Sequence, residues 1–120
     1  MDISKTIAAM KKEPGFTENV GMILVHNGVV RGWSRNGRRT VTGVEISVDG
    51  NTVEALRKEC EGKPGIYRIV VEYRTGLLCP GDDVLFIVVA GDIRENVKPV
   101  LAELLDRIKA EAVSKKEMVE

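Results

Sequence analysis

The segment VLFIVVA, residues 84–90, decides the fold. It is apolar throughout, rich in β-branched residues and shows no polar alternation, which is typical of a strand buried on both faces. The segment IYRIVVEYR, residues 66–74, precedes it and is joined to it by a stretch containing Pro80-Gly81-Asp82, a strong turn signal. We therefore expect these two strands to pair as neighbours at the centre of a sheet.

Further elements are predicted on both sides of this pair. The segments at residues 20–30 and 40–48 are rich in β-branched residues and are expected to be strands. Three helices are expected: a short one carrying Ile3, Ile7 and Met10 and closed by Pro14-Gly15, a second over residues 53–60 capped by Asn51 or Thr52, and a long last helix. The apolar stripe of this last helix consists of Val97, Leu101, Leu104, Leu105, Ile108 and Ala112.

These elements predict one α+β domain over residues 1–120, with an antiparallel or mixed sheet packed by helices. Residues 1–15 form an N-terminal helix and linker, and residues 113–120 are expected to be a flexible tail. A chain of 120 residues with 43% hydrophobic residues is large enough for one core.

The composition excludes several functional classes. The 18 basic and 18 acidic side chains cancel, which argues against a general nucleic-acid or membrane-surface binder. Cys60 and Cys79 form no CxxC pair, so neither a zinc nor a thiol-redox motif is indicated, and no metal or cofactor is predicted. The first residues lack the apolar core of a signal peptide, and no run is long enough to span a membrane, so we expect a cytoplasmic protein.

Two lysines near the end of the chain are candidates for an anion site. Lys109 and Lys116 are seven residues apart, which places them on one face of an α-helix if the last helix continues that far. The simpler interpretation is that lysines in a final turn stabilise the helix dipole and cover apolar surface. Arg31 and Arg94 lie where predicted strands and helices end or begin, and are either phosphate-binding residues or ordinary solvated arginines.

The loop RGWSRNGRR, residues 31–39, and the single histidine are the other polar features. Trp33 among arginines permits single-stranded nucleic-acid binding, but one aromatic is weak evidence, and Trp33 is expected to pack on a neighbour in a partner-facing or mobile segment. His26 lies in an apolar strand and is expected to be a satisfied core residue. A hydrolytic triad has no support, since no second histidine and no nucleophile relay are present.

Three blocks of sequence, taken in order, carry a family resemblance. They are GMILVHNGVVR at residues 21–31, YRTG and PGDD at residues 73–76 and 80–83, and Ile93-Arg94 followed fifteen residues later by Lys109 and seven residues after that by Lys116. With these blocks the chain resembles the large, catalytic subunit of molybdopterin synthase over about residues 17–118.

The resemblance implies an α/β-hammerhead fold and a homodimer in which each subunit binds a ubiquitin-like small subunit. Sulfur would pass from the thiocarboxylated Gly-Gly end of the small subunit to cyclic pyranopterin monophosphate. The residues implied as catalytic are Lys109 and Lys116. Those implied as substrate-binding are Arg31, Ile93, Arg94, Lys116 and Glu117.

The chain also departs from the family pattern. His26 stands in place of a phenylalanine, Ile93 in place of a histidine, and Val113 and Lys115 in place of a proline and a tryptophan. An alternative function is therefore a non-catalytic paralogue that binds an anionic ligand or the small subunit as a scaffolding module.

Overall fold

The computed structural model describes all 120 residues, Met1–Glu120. It contains four helices and six strands, all strands pairing antiparallel. In chain order they are α1 (Ile3–Lys11), α2 (Phe16–Asn19), β1 (Met22–Val29), β2 (Val41–Val48), α3 (Gly50–Glu61), β3 (Ile66–Tyr73), β4 (Gly76–Leu78), β5 (Asp83–Gly91), α4 (Arg94–Glu111) and β6 (Val113–Val119).

The first sheet has the order β1-β5-β3, with β5 in the centre. Every residue of β5 from Leu85 to Gly91 is buried, as the apolar run predicts. One face of β5 carries Leu85, Ile87 and Val89 into the main core with α3 and α4, and the other face packs Phe86, Val88 and Ala90 against Met10 of α1. The predicted α+β fold, the pairing of β3 with β5 and the packing of the last helix on β5 are confirmed.

The second sheet has the order β4-β2-β6. Its inner face buries Val44, Ile46 and Leu78. Val48, Val84 and Val113 pack against both this cluster and the main core, so they join the two sheets. The short strand β4 was not predicted from the sequence.

The expectation of a flexible tail at residues 113–120 is wrong, because β6 pairs with β2 over Val113–Val119. The last helix does not continue to Lys116 either. It ends at Glu111, and the Ala112 carbonyl accepts a hydrogen bond of 2.8 Å from the Asp49 N–H as the chain enters β6. Val113 and Val119, both β-branched, begin and end a segment that satisfies its backbone groups on β2.

The start of α3 also differs from the prediction. Its N-cap is Asp49, whose carboxylate accepts hydrogen bonds from the N–H and the hydroxyl of Thr52. Asn51 and Thr52 therefore lie inside the helix. The pKa of Asp49 is lowered by these bonds, since they favour the ionised carboxylate.

Both cysteines are free, with Cys60 buried and Cys79 exposed. None of the four helices is long and apolar enough to cross a bilayer.

We expect Gly91→Ala to destabilise the protein by about 1–3 kcal/mol, the usual cost of overpacking. A Cβ at residue 91 would lie 2.6 Å from the Gly65 carbonyl oxygen and 2.6 Å from Val97 Cγ2, so backbone and core must both shift. Gly43→Ala is the control, because its nearest side-chain neighbours, at 3.4 and 3.5 Å, are the flexible ends of Met118 and Leu77. The measurement is the urea midpoint of unfolding; equal midpoints for the two variants would contradict the prediction.

Candidate functional site

A cavity of about 460 Å³ lies where the two sheets meet. Its walls come from the end of β1, the inner face of β2, the start of β5, the last turns of α4 and alternate residues of β6. The apolar part of the lining consists of Val29, Val30, Val44, Ile46, Val48, Tyr73, Val84, Leu85 and Val113, and the remainder of Gly28, Arg31, Arg35, Lys109, Lys115 and Glu117.

Four cationic side chains therefore share this cavity with one carboxylate. Arg31 follows β1, Arg35 comes from the loop after it, Lys109 from the end of α4, and Lys115 from β6. We refer to this cavity as the basic cavity. Arg31 and Lys109, which the sequence singles out as site candidates, are brought together in it from positions 78 residues apart along the chain.

Lys115, not Lys116, faces the basic cavity. Side chains of a strand alternate between its two faces, so residues 113, 115 and 117 share one face of β6. Their partners on β2 are Val48, Ile46 and Val44, which also line the cavity. Lys116 lies opposite Glu45 on the other face. The expectation that Lys109 and Lys116 share one helix face is wrong, because the helix has ended before Lys116. Glu117, predicted as a site residue, does line the cavity.

Ile93 and Arg94 do not line the basic cavity of their own chain. Ile93 is the N-cap of α4 with its side chain exposed, and the guanidinium of Arg94 is exposed beside Glu95 at 3.7 Å. Arg94 and Lys109 are fifteen positions apart on α4, which corresponds to about 23 Å at 1.5 Å per residue. The expectation that Arg94 joins Arg31 in one site therefore fails within a single chain.

The basic loop is ordered by its own side chains. The guanidinium carbons of Arg31 and Arg38 lie 4.9 and 4.2 Å from the centre of the Trp33 ring, in cation–π contact. The Ser34 hydroxyl donates to the Asn36 carbonyl and accepts from the Arg39 N–H. Trp33 thus packs against arginines of its own loop, and its ring is already in contact with two cations, which weakens the case for a platform on which nucleic-acid bases stack.

Burial and the neighbouring positive charges of the basic cavity change the pKa of one of its lysines. The pKa of Lys115 is lowered by burial first and by the charge of Arg31 next, while Glu117 acts in the opposite direction. Holding like charges close together in this cavity lowers the stability of the folded protein. Such crowding of like charges is common at sites that bind a ligand of the opposite charge. Apolar walls around cations suit a ligand with a flat apolar body and an anionic group.

His26 lies beside the basic cavity on the face of β1 that packs toward α4. Its Nε2 is buried and has no hydrogen-bond partner, contrary to the expectation of a satisfied core residue. A Cβ placed on Gly28, which lines the cavity, would be 3.0 Å from this nitrogen. Burial, and then the charge of Lys109, lower the pKa of His26, so both favour the neutral ring.

A second polar cluster lies away from the basic cavity, between α3 and α4. Glu59, Cys60 and Glu103 place three possible ligand atoms within 4.8 Å of one another. Glu103 already binds the Lys63 ammonium at 2.7 Å, and Glu59 pairs with Arg107. Ion pairs therefore account for these carboxylates without a metal.

Two of the cationic cavity residues, Arg35 and Lys115, were not among the residues predicted from the sequence. Lys115 would have been found by treating VSKKEMV, residues 113–119, as a strand, since its β-branched ends are compatible with one and period two then separates Lys115 from Lys116. The sequence offers no comparable way to predict the position of Arg35, because the position of an arginine in a loop depends on how that loop folds back.

Comparison with solved structures supports the fold at low sequence identity. A molybdopterin synthase from Staphylococcus aureus matches with a TM-score of 0.80 at 21% identity, covering 100% of this chain and 86% of that one. A molybdopterin biosynthesis MoaE protein from Burkholderia ambifaria matches with a TM-score of 0.77 at 22% identity, covering 98% of this chain and 76% of that one. A complex of subunits 1 and 2 of molybdopterin-converting factor from Helicobacter pylori contains a chain that matches with a TM-score of 0.72 at 18% identity, covering 100% of this chain and 80% of that one.

Sequence comparison identifies the family directly. No curated protein sequence matches the chain significantly. The model of the MoaE protein family, however, matches residues 1–111, which is most of the chain. The resemblance carried by the three sequence blocks is thereby confirmed: this chain belongs to the MoaE family, the large subunits of molybdopterin synthase, and its role is in molybdenum cofactor biosynthesis.

Proposed function

We propose that the chain catalyses sulfur transfer from a thiocarboxylated small subunit to cyclic pyranopterin monophosphate, in the basic cavity. The observation that carries this proposal is the meeting of Arg31, Lys109 and Lys115 in one apolar-walled cavity of a MoaE-family chain. The substrate has a flat ring system and a cyclic phosphate, and the cavity offers an apolar wall and cations to match.

The cations divide into two roles by position. Arg31 and Lys115 both line the cavity, the charge of Arg31 lowers the pKa of Lys115 after burial does, and we assign these two residues to the phosphate-binding side. Arg35 adds a third cation from the loop. Lys109 lies at the end of α4 and acts at the reacting carbonyl of the small subunit's carboxyl terminus. Once the sulfur has bonded to the substrate, water attacks that carbonyl carbon, and the ammonium of Lys109 stabilises the oxyanion that forms. The carbon–oxygen bond forms as the carbon–sulfur bond breaks, which leaves the sulfur on the substrate and a carboxylate on the small subunit.

The small subunit is the proposed sulfur donor and partner. The Helicobacter pylori structure is a complex of two molybdopterin-converting factor subunits, and the fold of one of its chains matches this one. A Gly-Gly terminus suits a narrow entry, because residues without side chains let the carboxyl end approach a buried site closely. Glu117 is the one carboxylate in the cavity, and its charge opposes the lowering of the pKa of Lys115.

A homodimer is the proposed assembly, and with two small subunits it forms a heterotetramer. Arg94 is exposed about 23 Å from Lys109, too far to act in its own chain's cavity. We assign the partner subunit's Arg94 to the substrate-binding site, so that each cavity is completed across the dimer. The two free cysteines fit a reducing compartment, and we place the reaction in the cytoplasm.

The second candidate function is a non-catalytic binding module. It is favoured by Ile93, an exposed apolar side chain where the family pattern has a histidine, since isoleucine neither donates a hydrogen bond nor carries a proton. Such a module would bind the small subunit or the anion without forming product.

A reconstituted reaction separates the two functions. The purified chain is incubated with the host's thiocarboxylated small subunit and cyclic pyranopterin monophosphate, and dithiolene product is followed by mass spectrometry. We expect product formation, and we expect Lys109→Ala to slow it by about 10²–10³-fold, the usual cost of removing an oxyanion donor. Complex formation without product would establish the binding module, and unchanged turnover in Lys109→Ala would remove Lys109 from the reacting centre.

The two neighbouring lysines of β6 provide a matched pair of variants. Lys115→Gln is expected to weaken binding of cyclic pyranopterin monophosphate by about 10–100-fold, because it removes one charged hydrogen bond. Lys116→Gln has the same chemistry on the opposite face and is expected to change binding by less than about twofold, as is usual for an exposed charge. Isothermal titration with each variant gives the dissociation constants. The reverse order of effects would show that Lys116, not Lys115, is the substrate ligand.

A further inference from the structure

His26 is the only histidine of the chain, and the roles assigned above leave it unused. It belongs to the face of β1 that also carries Leu24 and Gly28, since alternate residues of a strand share a face. Leu24 packs against the core formed with α4, and Gly28 lines the basic cavity. His26 therefore lies between the core and the cavity.

The direction of the ring is set by Gly28. Nε2 would be 3.0 Å from a Cβ at that position, so this nitrogen points along β1 toward the cavity wall. Because residue 28 has no side chain, nothing from β1 itself separates Nε2 from the space beyond. A larger residue would close that approach.

The same nitrogen has no partner in the protein. Nε2 is buried, and no donor or acceptor of the chain lies within hydrogen-bonding distance. An unpaired polar atom of this kind costs about as much as a lost hydrogen bond, and in native proteins it calls for an explanation such as a catalytic role or a bound group. The neighbouring cavity supplies a place for such a group.

The charged and titratable surroundings show which kind of group would bind. The charged and titratable side chains that line the cavity are those of Arg31, Arg35, Tyr73, Lys109, Lys115 and Glu117. Four of these six are cationic. The strand β5, which pairs with β1, contributes only apolar side chains on this face, namely Val84, Leu85, Ile87 and Val89. With one carboxylate against four cations, the surroundings favour an anion and oppose a proton on His26 while the cavity is empty.

We propose that His26 is a further ligand-binding residue of the basic cavity: its Nε2 donates a hydrogen bond to an anionic group held beside Lys109, and the ring takes up a proton from solvent as that group binds. The bound anion offsets the charge of Lys109 and accepts the Nε2–H bond, so both changes favour the protonated ring. The inference rests on the proposed function only in that the cavity binds an anion, and it adds the proton coupling.

The sign of the pH dependence follows by linkage. In the empty protein the pKa of His26 is below its usual value, through burial and then Lys109. Anion binding raises it, so the complex holds more protons than the free protein. Affinity therefore increases as the pH falls through the two pKa values. Each unit by which binding raises the pKa corresponds to roughly tenfold tighter binding at low pH.

The experiment uses the single histidine as its own probe. Protein labelled with ¹⁵N in the imidazole ring is titrated with acid in the absence and presence of saturating sulfate, which neither gains nor loses a proton near neutral pH. We expect sulfate to raise the pKa of His26 by about one unit. An unchanged pKa in the presence of bound sulfate overturns the inference, and so does the absence of sulfate binding at any pH.

Variants separate His26 from the other cations. His26→Gln retains a side-chain donor but cannot titrate, so its sulfate affinity is expected to lose the strengthening of about tenfold at low pH. Lys109→Gln is expected to raise the pKa of His26 in the empty protein, while Lys116→Gln, on the far face of β6, leaves it unchanged. If His26→Gln keeps the full pH dependence of sulfate affinity, another group, such as Lys115, takes up the proton, and the inference is overturned.

These outcomes are independent of the sulfur-transfer assay. If the chain forms dithiolene but bound sulfate does not change the pKa of His26, the proposed function stands and the inference is overturned. A chain that takes up the proton but forms no dithiolene keeps the inference and is a binding module.

Discussion

Burial of β5 on both faces is the constraint on which the rest of the structure depends. A strand with apolar residues at every position must be covered on two sides and paired on two edges, because its backbone groups have no access to water. Here β1 and β3 occupy the edges, α3 and α4 cover one face, and α1 with α2 covers the other. This packing fixes α4 against the sheet, and so fixes where Lys109 emerges.

The basic cavity is formed because the second sheet meets the first only along a seam. Val48, Val84 and Val113 pack against both hydrophobic clusters, and all three also line the basic cavity. Residues at the ends of β1 and α4 and along β6 then face one another across unfilled space. Placing four cations there opposes folding: burial first, and then repulsion between like charges, lowers the pKa of His26 and of Lys115. The same repulsion becomes binding energy when an anion enters.

The register of β6 determines which of its two lysines faces the basic cavity. Since side chains alternate along a strand, a shift of one residue would exchange Lys115 for Lys116 at the cavity. The pairing of Lys115 with Ile46 and of Glu117 with Val44 excludes that exchange, because both partners are buried on the inner face of β2. The family spacing of the two lysines does not show which lysine of β6 faces the cavity. This chain has Val113 where the family pattern has a proline, so the segment is free to form a strand.

The α+β class, the central pairing of β3 with β5 and the packing of the last helix could be predicted from local periodicity and turn signals. The family could be predicted from its resemblance in three sequence blocks taken in order. The sequence also selected Arg31, Lys109 and Glu117. Three-dimensional packing was needed to establish that residues 113–119 pair as a strand and that Lys115 and Arg35 enter the cavity. The β-branched ends of residues 113–119 are compatible with a strand, but which face of that strand meets the cavity depends on its pairing with β2. The position of Arg35 depends on how its loop folds back. The unpartnered nitrogen of His26 belongs to the same group, since only the packed structure shows that nothing reaches it.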